Sequence, residues 1–207
     1  MESTEIKLGP DETVEGRPDF DPSHTTEDLQ RMQALARQLV ETYEDPKLCD
    51  FSARMGPVCQ SDPKGRHFRI YYIRPDLLFS SKPLTAVGFF GLKRPGADVR
   101  PLIKADKLFE REFAHHPGLL SLSTVRLPDG NFGNLVLFTD PDAKDRWNHS
   151  QPHQDLVRRI SPPYYRAIRL NNGILPDGLE APEALRLTRV RYIDYASNPV
   201  WLALRSF

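Results

Sequence analysis

Cysteine is nearly absent: the 207 residues contain two, Cys49 and Cys59. Without CxxC spacing they make neither a zinc knuckle nor a thiol redox motif. In a Pro/Asp/Ser-bearing loop they read as reduced thiols of a cytoplasmic protein. An excess of charge of one sign is absent too. Lys+Arg and Asp+Glu both number 28, so no broad positive field exists to hold a polyanion or an acidic bilayer, and neither nucleic acid nor membrane is expected as a partner. No run is long and apolar enough to span a bilayer. The acidic opening MESTEIKLGPDETVEG lacks an apolar stretch and reads as neither signal nor transit peptide. GxGxxG, P-loop, GxSxG and EF-hand patterns are all missing, which removes sequence support for nucleotide cofactors, serine hydrolysis and calcium. Asn148-His149-Ser150 matches the glycosylation sequon and, without a secretory signal, reads as accidental.

What remains is a composition of 39% hydrophobic and 27% charged residues, enough to bury a real core within a single globular domain. Residues 1–23 carry Gly, Pro, Asp and Glu with few apolar anchors and are expected to form a flexible arm. The domain should then run over 24–207. Thr25 and Asp28 have capping-box spacing, and Leu29, Met32, Ala36, Leu39, Val40 and Tyr43 recur on one helical face. An irregular segment from Asp45 to Gly65 precedes a strand in which Phe68, Ile70 and Tyr72 alternate with Arg69 and Tyr71. The central unit, 84–173, reads strand, helix, strand, hairpin, broken helix, strand. Leu84 to Leu92 is dense enough in apolar residues for a strand covered on both faces. Pro101 opens a helix whose inward face is Leu102, Ala105, Phe109 and Phe113, and Gly118 sits past its end. Leu120 and Leu122 alternate with Ser121 and Ser123. Pro128-Asp129-Gly130-Asn131 predicts a hairpin turn. Asp140-Pro141 is an N-cap and N1 pair, Pro152 interrupts the helix it opens, and Ser150 is placed to cap the second half. Tyr164 to Leu170 returns as a strand closed by Asn171-Asn172-Gly173. Leu185–Tyr195 and Val200–Phe207 read as a hairpin added at a sheet edge, with Arg186, Arg189 and Arg191 as solvated edge charges.

Histidine carries most of the chemical interest. His153 precedes Leu156, Val157 and Ile160 by three, four and seven residues, so it should face inward. It also stands in the first turn of a half-helix, where the dipole keeps the ring neutral. A neutral inward imidazole suits an iron ligand or a general base, and equally suits a buried histidine bonded to a backbone carbonyl. His149 and His153 share the i, i+4 spacing of zinc helices, but Ser-Gln-Pro between them supplies no catalytic Glu. His115 and His116 complement the negative end of their helix. His67 has no evident partner. Asn134 is the polar exception among Phe132, Val136 and Phe138, and a buried amide needs partners, so it is a candidate for orienting a ligand. Trp147, Tyr164, Tyr165, Phe89 and Phe90 could line a pocket for a flat lipophilic ligand, with Arg166 or Arg169 meeting an anionic group; they could equally be core.

The βαββαβ order, with a Trp/His-bearing second helix running into SPPYYRAIRLNNG, resembles the dimeric α+β barrel group of ferredoxin-like proteins, which includes antibiotic-biosynthesis monooxygenases and haem-degrading monooxygenases. The resemblance implies an α+β fold in which two sheets pack face to face across a homodimer, with a pocket between sheet and helices. It implies a small-molecule oxidoreductase or monooxygenase acting on a hydrophobic or aromatic metabolite. Two versions follow. With haem, His153 would be the axial ligand, Trp147 and Asn148 would shape the ring-packing side and Arg169 would meet a propionate. The Trp-to-His spacing here is shorter than in haem-degrading members, and Pro152 intervenes. Without a cofactor, His153 would be the general base and Asn134 or a hydroxyl such as that of Tyr165 would steady the anion. An isomerase, a cyclase, a lyase or a non-catalytic ligand-binding scaffold would use the same apparatus. The RNA-recognition motif shares the topology, but Asn134 and Leu137 stand where its stacking aromatics belong.

Overall fold

A computed structural model describes residues 5–45, 57–61, 65 and 67–207. Nine strands form one sheet among the described residues: β1 (Ile6–Leu8), β2 (Val58–Ser61), β3 (His67–Tyr72), β4 (Leu84–Lys93), β5 (Leu119–Arg126), β6 (Phe132–Phe138), β7 (Tyr165–Leu175), β8 (Arg186–Asp194) and β9 (Trp201–Ser206). Their order is β1-β9-β8-β7-β4-β6-β5-β3-β2, antiparallel throughout except for the parallel pair β1–β9. The helices are α1 (Pro22–Glu44), α2 (Pro75–Ser80), α3 (Arg100–Glu112), α4 (Pro141–Asn148), α5 (Gln151–Asp155) and α6 (Ser161–Tyr164). A π-helical turn, Leu156–Ile160, joins the last two. Within this sheet β7-β4-β6-β5 are the four strands of the βαββαβ unit in the order 4-1-3-2. That is the ferredoxin-like arrangement, here enlarged at both edges.

Local chemistry sets the boundaries. Asp140 caps α4 by accepting from Ala143 N at 2.7 Å, and Pro141 takes the first helical position. Gly130 adopts φ 78° in the β5–β6 turn, where Asp129 Oδ1 accepts from Asn131 N at 2.9 Å. α1 starts four residues earlier than the Thr25/Asp28 spacing implies, because Asp21 caps it and Pro22 follows; Thr25 and Asp28 lie inside the helix and are buried. Asn171-Asn172-Gly173 does not close β7. The strand continues to Leu175 with a register shift at Asn172/Gly173 against β8, where a Cβ on Gly173 would collide with the Arg186 carbonyl.

The two faces of the sheet have different covers. α1 lays Met32, Leu35, Ala36 and Leu39 against Phe68, Ile70, Ala86, Phe90, Leu135 and Leu137. α3, α4 and α5 lie on the other side, with Phe113, Ala143 and Trp147 against Tyr71, Leu119 and Phe138. Both faces are therefore roofed. Ser121 and Ser123, which alternate with Leu122, are fully buried on the α1 side. And the face that the resemblance reserves for a second sheet across a homodimer is occupied by the chain's own α1.

Residues 5–23 are packed rather than draped. β1 pairs with β9, Phe20 is buried against Tyr192 and Trp201, and the wholly buried Arg205 donates to the carbonyls of Gly9 and Pro10 at 2.6 Å and Glu12 at 2.8 Å. Arg17 pairs with Asp194, and Asp19 with Arg166. The β8–β9 hairpin is accordingly not an edge: β1 lies outside it. Arg186, Arg189 and Arg191 are exposed, as expected, with Arg191 2.7 Å from Glu5. Cys59 lies on β2, in what was expected to be loop, and Cys49 lies outside the described residues. No described helix is long and apolar enough to cross a membrane.

Candidate functional site

The residues singled out by sequence fall into three places. Trp147, Asn148 and His153 meet at the α4–α5 junction. The His153 ring lies 6.0 Å from Trp147 and 6.3 Å from Phe109, centroid to centroid. Its Nδ1 is 3.2 Å from the Asn148 carbonyl, which also accepts from Gln154 Nε2 at 2.6 Å. A carbonyl only accepts, so the proton sits on Nδ1 and the neutral ring keeps its lone pair on Nε2. Burial pushes the His153 pKa below its usual value, while the bond to Asn148 works the other way. Desolvation, not the helix dipole, is thus what holds this ring neutral, and α5 is only five residues long.

Asn134 and Tyr165 form a second group around Phe89. Asn134 stands opposite Phe89 in the β4–β6 register, and the Tyr165 ring meets Phe89 edge-on at 5.3 Å. Asn134 Oδ1 is buried without a hydrogen-bond partner, and burial raises the Tyr165 pKa. Arg169 belongs to neither group. It is on the α1 face, where Nε and Nη2 donate to Asp28 at 2.7 and 3.0 Å, with Asn171 on the same carboxylate at 3.3 Å. Arg166 is taken by Asp19. Phe90 is on the α1 face as well, so the five aromatics do not share a pocket. The haem arrangement therefore does not fit: Arg169 is separated from His153 by the sheet and already neutralised, and the His153 ring is no wall of the cavity described next. Among the described residues no cluster of three His, Cys, Asp or Glu has metal-binding geometry, so the His149/His153 spacing makes no zinc site; His149 is exposed, its Nδ1 on the Asp145 carbonyl at 2.7 Å.

The cavity is a groove of about 620 Å³ between α3 and the α5–π segment. Leu108, Phe109, Leu156 and Ile160 make its apolar walls, and Glu112, His115, His116 and Asp155 are its titratable groups. Its volume lies within the range of about 300–1,000 Å³ that small-molecule sites occupy. The π turn contributes by widening the helix where Leu156 and Ile160 enter the wall, a distortion often found at ligand sites. His116 is half-buried and meets Trp147 edge-on at 4.9 Å; burial lowers its pKa, outweighing the opposite pull of Glu112. His115, 71% exposed, lies 3.6 Å from Glu112. Ser150, at the start of α5, contributes its backbone carbonyl to Gln154 N at 3.0 Å, but no side-chain cap: Oγ is buried and unpaired at the groove. Sequence reading passed over this site because it treated His115 and His116 only as a helix-end pair. The signal that could have found it was Leu108, which breaks the inward stripe of α3 and stands 54% exposed.

No protein-family model matches the chain, and no curated protein does. Solved structures that are similar to it include the following. Protein SO0527 from Shewanella oneidensis is 14% identical, covering 52% of this chain and 98% of that one at a TM-score of 0.38. SnoaB, a cofactor-independent oxygenase from Streptomyces nogalater, is 17% identical over 45% and 91%, at 0.35. A monooxygenase-like protein from Listeria innocua is 10% identical over 54% and 73%, at 0.31. The chain is ferredoxin-like. Its own strand order carries that statement, and the alignments add no residue-level correspondence.

Proposed function

We propose that this protein is a small-molecule enzyme working without a resident cofactor on a largely apolar, ionisable substrate held in the α3/α5 groove, with His116 as proton acceptor. The observation that carries the reading is the His116 imidazole on the wall of a largely apolar cavity. Desolvation keeps His116 unprotonated at neutral pH, which is the state a base requires. The step is proton transfer from a phenol or an acidic C–H to the free ring nitrogen, leaving the electron pair on the substrate and a positive charge on His116. Ser150 Oγ, unpaired at the groove, is the available hydroxyl donor to the resulting anion. Return of the proton at another carbon is the isomerase outcome. Transfer of electrons from the anion to dioxygen is the oxygenase outcome. His153, Asn134 and Tyr165 are then positioning residues: His153 backs Phe109 and Trp147, and the other two hold Phe89.

The test uses 4-nitrophenol, whose phenolate is yellow, titrated spectroscopically with wild type and His116→Gln. With wild type the bound probe should ionise at lower pH than free probe, and with His116→Gln that displacement should vanish while binding remains. Identical curves for the two proteins, with binding intact, would leave a ligand-binding scaffold as the reading. Assembly is a separate part of the proposal. A homodimer would have to pair through a surface other than the α1-covered face, and light scattering distinguishes 23.7 kDa from twice that mass.

A further inference from the structure

The walls of the groove are largely apolar, and the exposed face of α3 that adjoins the groove-lining Leu108 carries a row of cations. Arg100, Lys104, Lys107 and Arg111 follow one another at spacings of four, three and four along α3, which puts them on one exposed face. Arg100 is held by Asp98, with Nη2 to Oδ2 at 2.8 Å. Lys104, Lys107 and Arg111 have no ion pair or hydrogen bond to a side chain among the described residues. Lys104 precedes the groove-lining Leu108 by four residues and Arg111 follows it by three, so both are its surface neighbours on the helix. Of the carboxylates nearby, Asp106 pairs with Arg69 at 2.7 Å, Glu110 accepts from the Tyr71 hydroxyl, and the groove-lining Glu112 and Asp155 lie 3.6 Å from His115 Nδ1 and 3.5 Å from Arg159 Nε. A chain with equal numbers of basic and acidic residues thus gathers three uncommitted cations beside its apolar groove.

We infer that the groove takes an anionic amphiphile: an apolar chain or ring between Leu108 and Ile160, with a carboxylate or similar anionic group against Lys104, Lys107 and Arg111. The inference rests on the groove being the ligand site and adds the charge and shape of the ligand. A neutral apolar ligand would satisfy the walls and leave the lip unused. A small inorganic anion would meet the lip and leave the apolar walls in water. Only a molecule with both parts removes both mismatches.

Calorimetric titration with decanoate and with decanol, each below its aggregation limit, tests the inference on wild type and on the Lys104→Gln/Lys107→Gln/Arg111→Gln triple variant. These side chains are exposed and unpaired, so the variant should fold as wild type, and its thermal unfolding checks that. Wild type at low salt should bind decanoate about tenfold more tightly than decanol, the combined effect of two or three exposed charge contacts. Salt should narrow the gap, and the triple variant should abolish it by weakening decanoate alone. Equal affinities in wild type would overturn the anionic assignment and leave the groove as a ligand site. A gap that persists in the triple variant would overturn the role of these three cations. If neither compound binds, both the inference and the groove reading fail. Co-sedimentation with anionic vesicles without one-to-one decanoate binding would also overturn the inference, and would make α3 a bilayer-surface helix.

Discussion

At the scale of single residues, the decisive variable is which side of the sheet a side chain occupies. Arg169 illustrates it. In Tyr165-Arg166-Ala167-Ile168-Arg169-Leu170 both faces of the strand are covered, so polar and apolar residues do not alternate and parity cannot be read from the sequence. Asn134 was legible because its strand mates Phe132, Val136 and Phe138 are all apolar. His153 was legible as an inward histidine for the same kind of reason, but its separation from the groove was not, since nothing in the sequence shows that Phe109 and Trp147 stand around it. Its neutrality has a measurable consequence. The unfolded chain takes up a proton near the ordinary pKa of 6.5, whereas the folded chain resists until lower pH. Stability is therefore full above about pH 6.5 and falls as the pH drops from there through the folded value. Urea midpoints measured from pH 7.5 to 5 should show this decline in wild type, and His153→Leu should flatten part of it. An identical slope in the variant would mean that other groups carry the acid sensitivity.

At the scale of elements, turn and cap chemistry wrote the βαββαβ order plainly. Asp140-Pro141, Pro128-Asp129-Gly130-Asn131 and the Pro101 start are local signals with local causes. What was not legible was contact between elements distant in sequence. Gly88 is the clearest case: in the sequence it is a glycine inside an apolar strand, and in the fold it is where α1 approaches β4, so that a Cβ there would collide with Met32 Sδ. Gly88→Val should lift α1 from the sheet and cost about 1–3 kcal/mol of stability, the usual range for overpacking. Met32→Ala in the same chain should recover part of that loss, which chemical denaturation of the single and double variants will show.

At the scale of the molecule, the additions to the ferredoxin-like unit pack into a second apolar cluster that joins residues 8–20 to β7, β8 and β9. Arg205, with no carboxylate among its hydrogen-bond partners, gathers three carbonyls of residues 9–12 and the Tyr192 hydroxyl at 2.9 Å, and Thr25 on α1 completes the chain of contacts to Tyr192 at 2.9 Å. Arg205→Met should leave those acceptors unmet, cost on the order of 3 kcal/mol, and speed cleavage by a glutamyl endopeptidase at Glu12 and Glu15. Unchanged cleavage would show that β1 and Phe20 alone hold the segment. The parallel pairing of β1 with β9 also fixes an order of events. While the protein is being synthesised, Ile6–Leu8 emerges first yet has no strand to join until Trp201–Ser206 has followed it, with Arg205 in the same stretch. Until then Ile6–Leu8 stays without its partner, and this seam can close only after the strands between have been made.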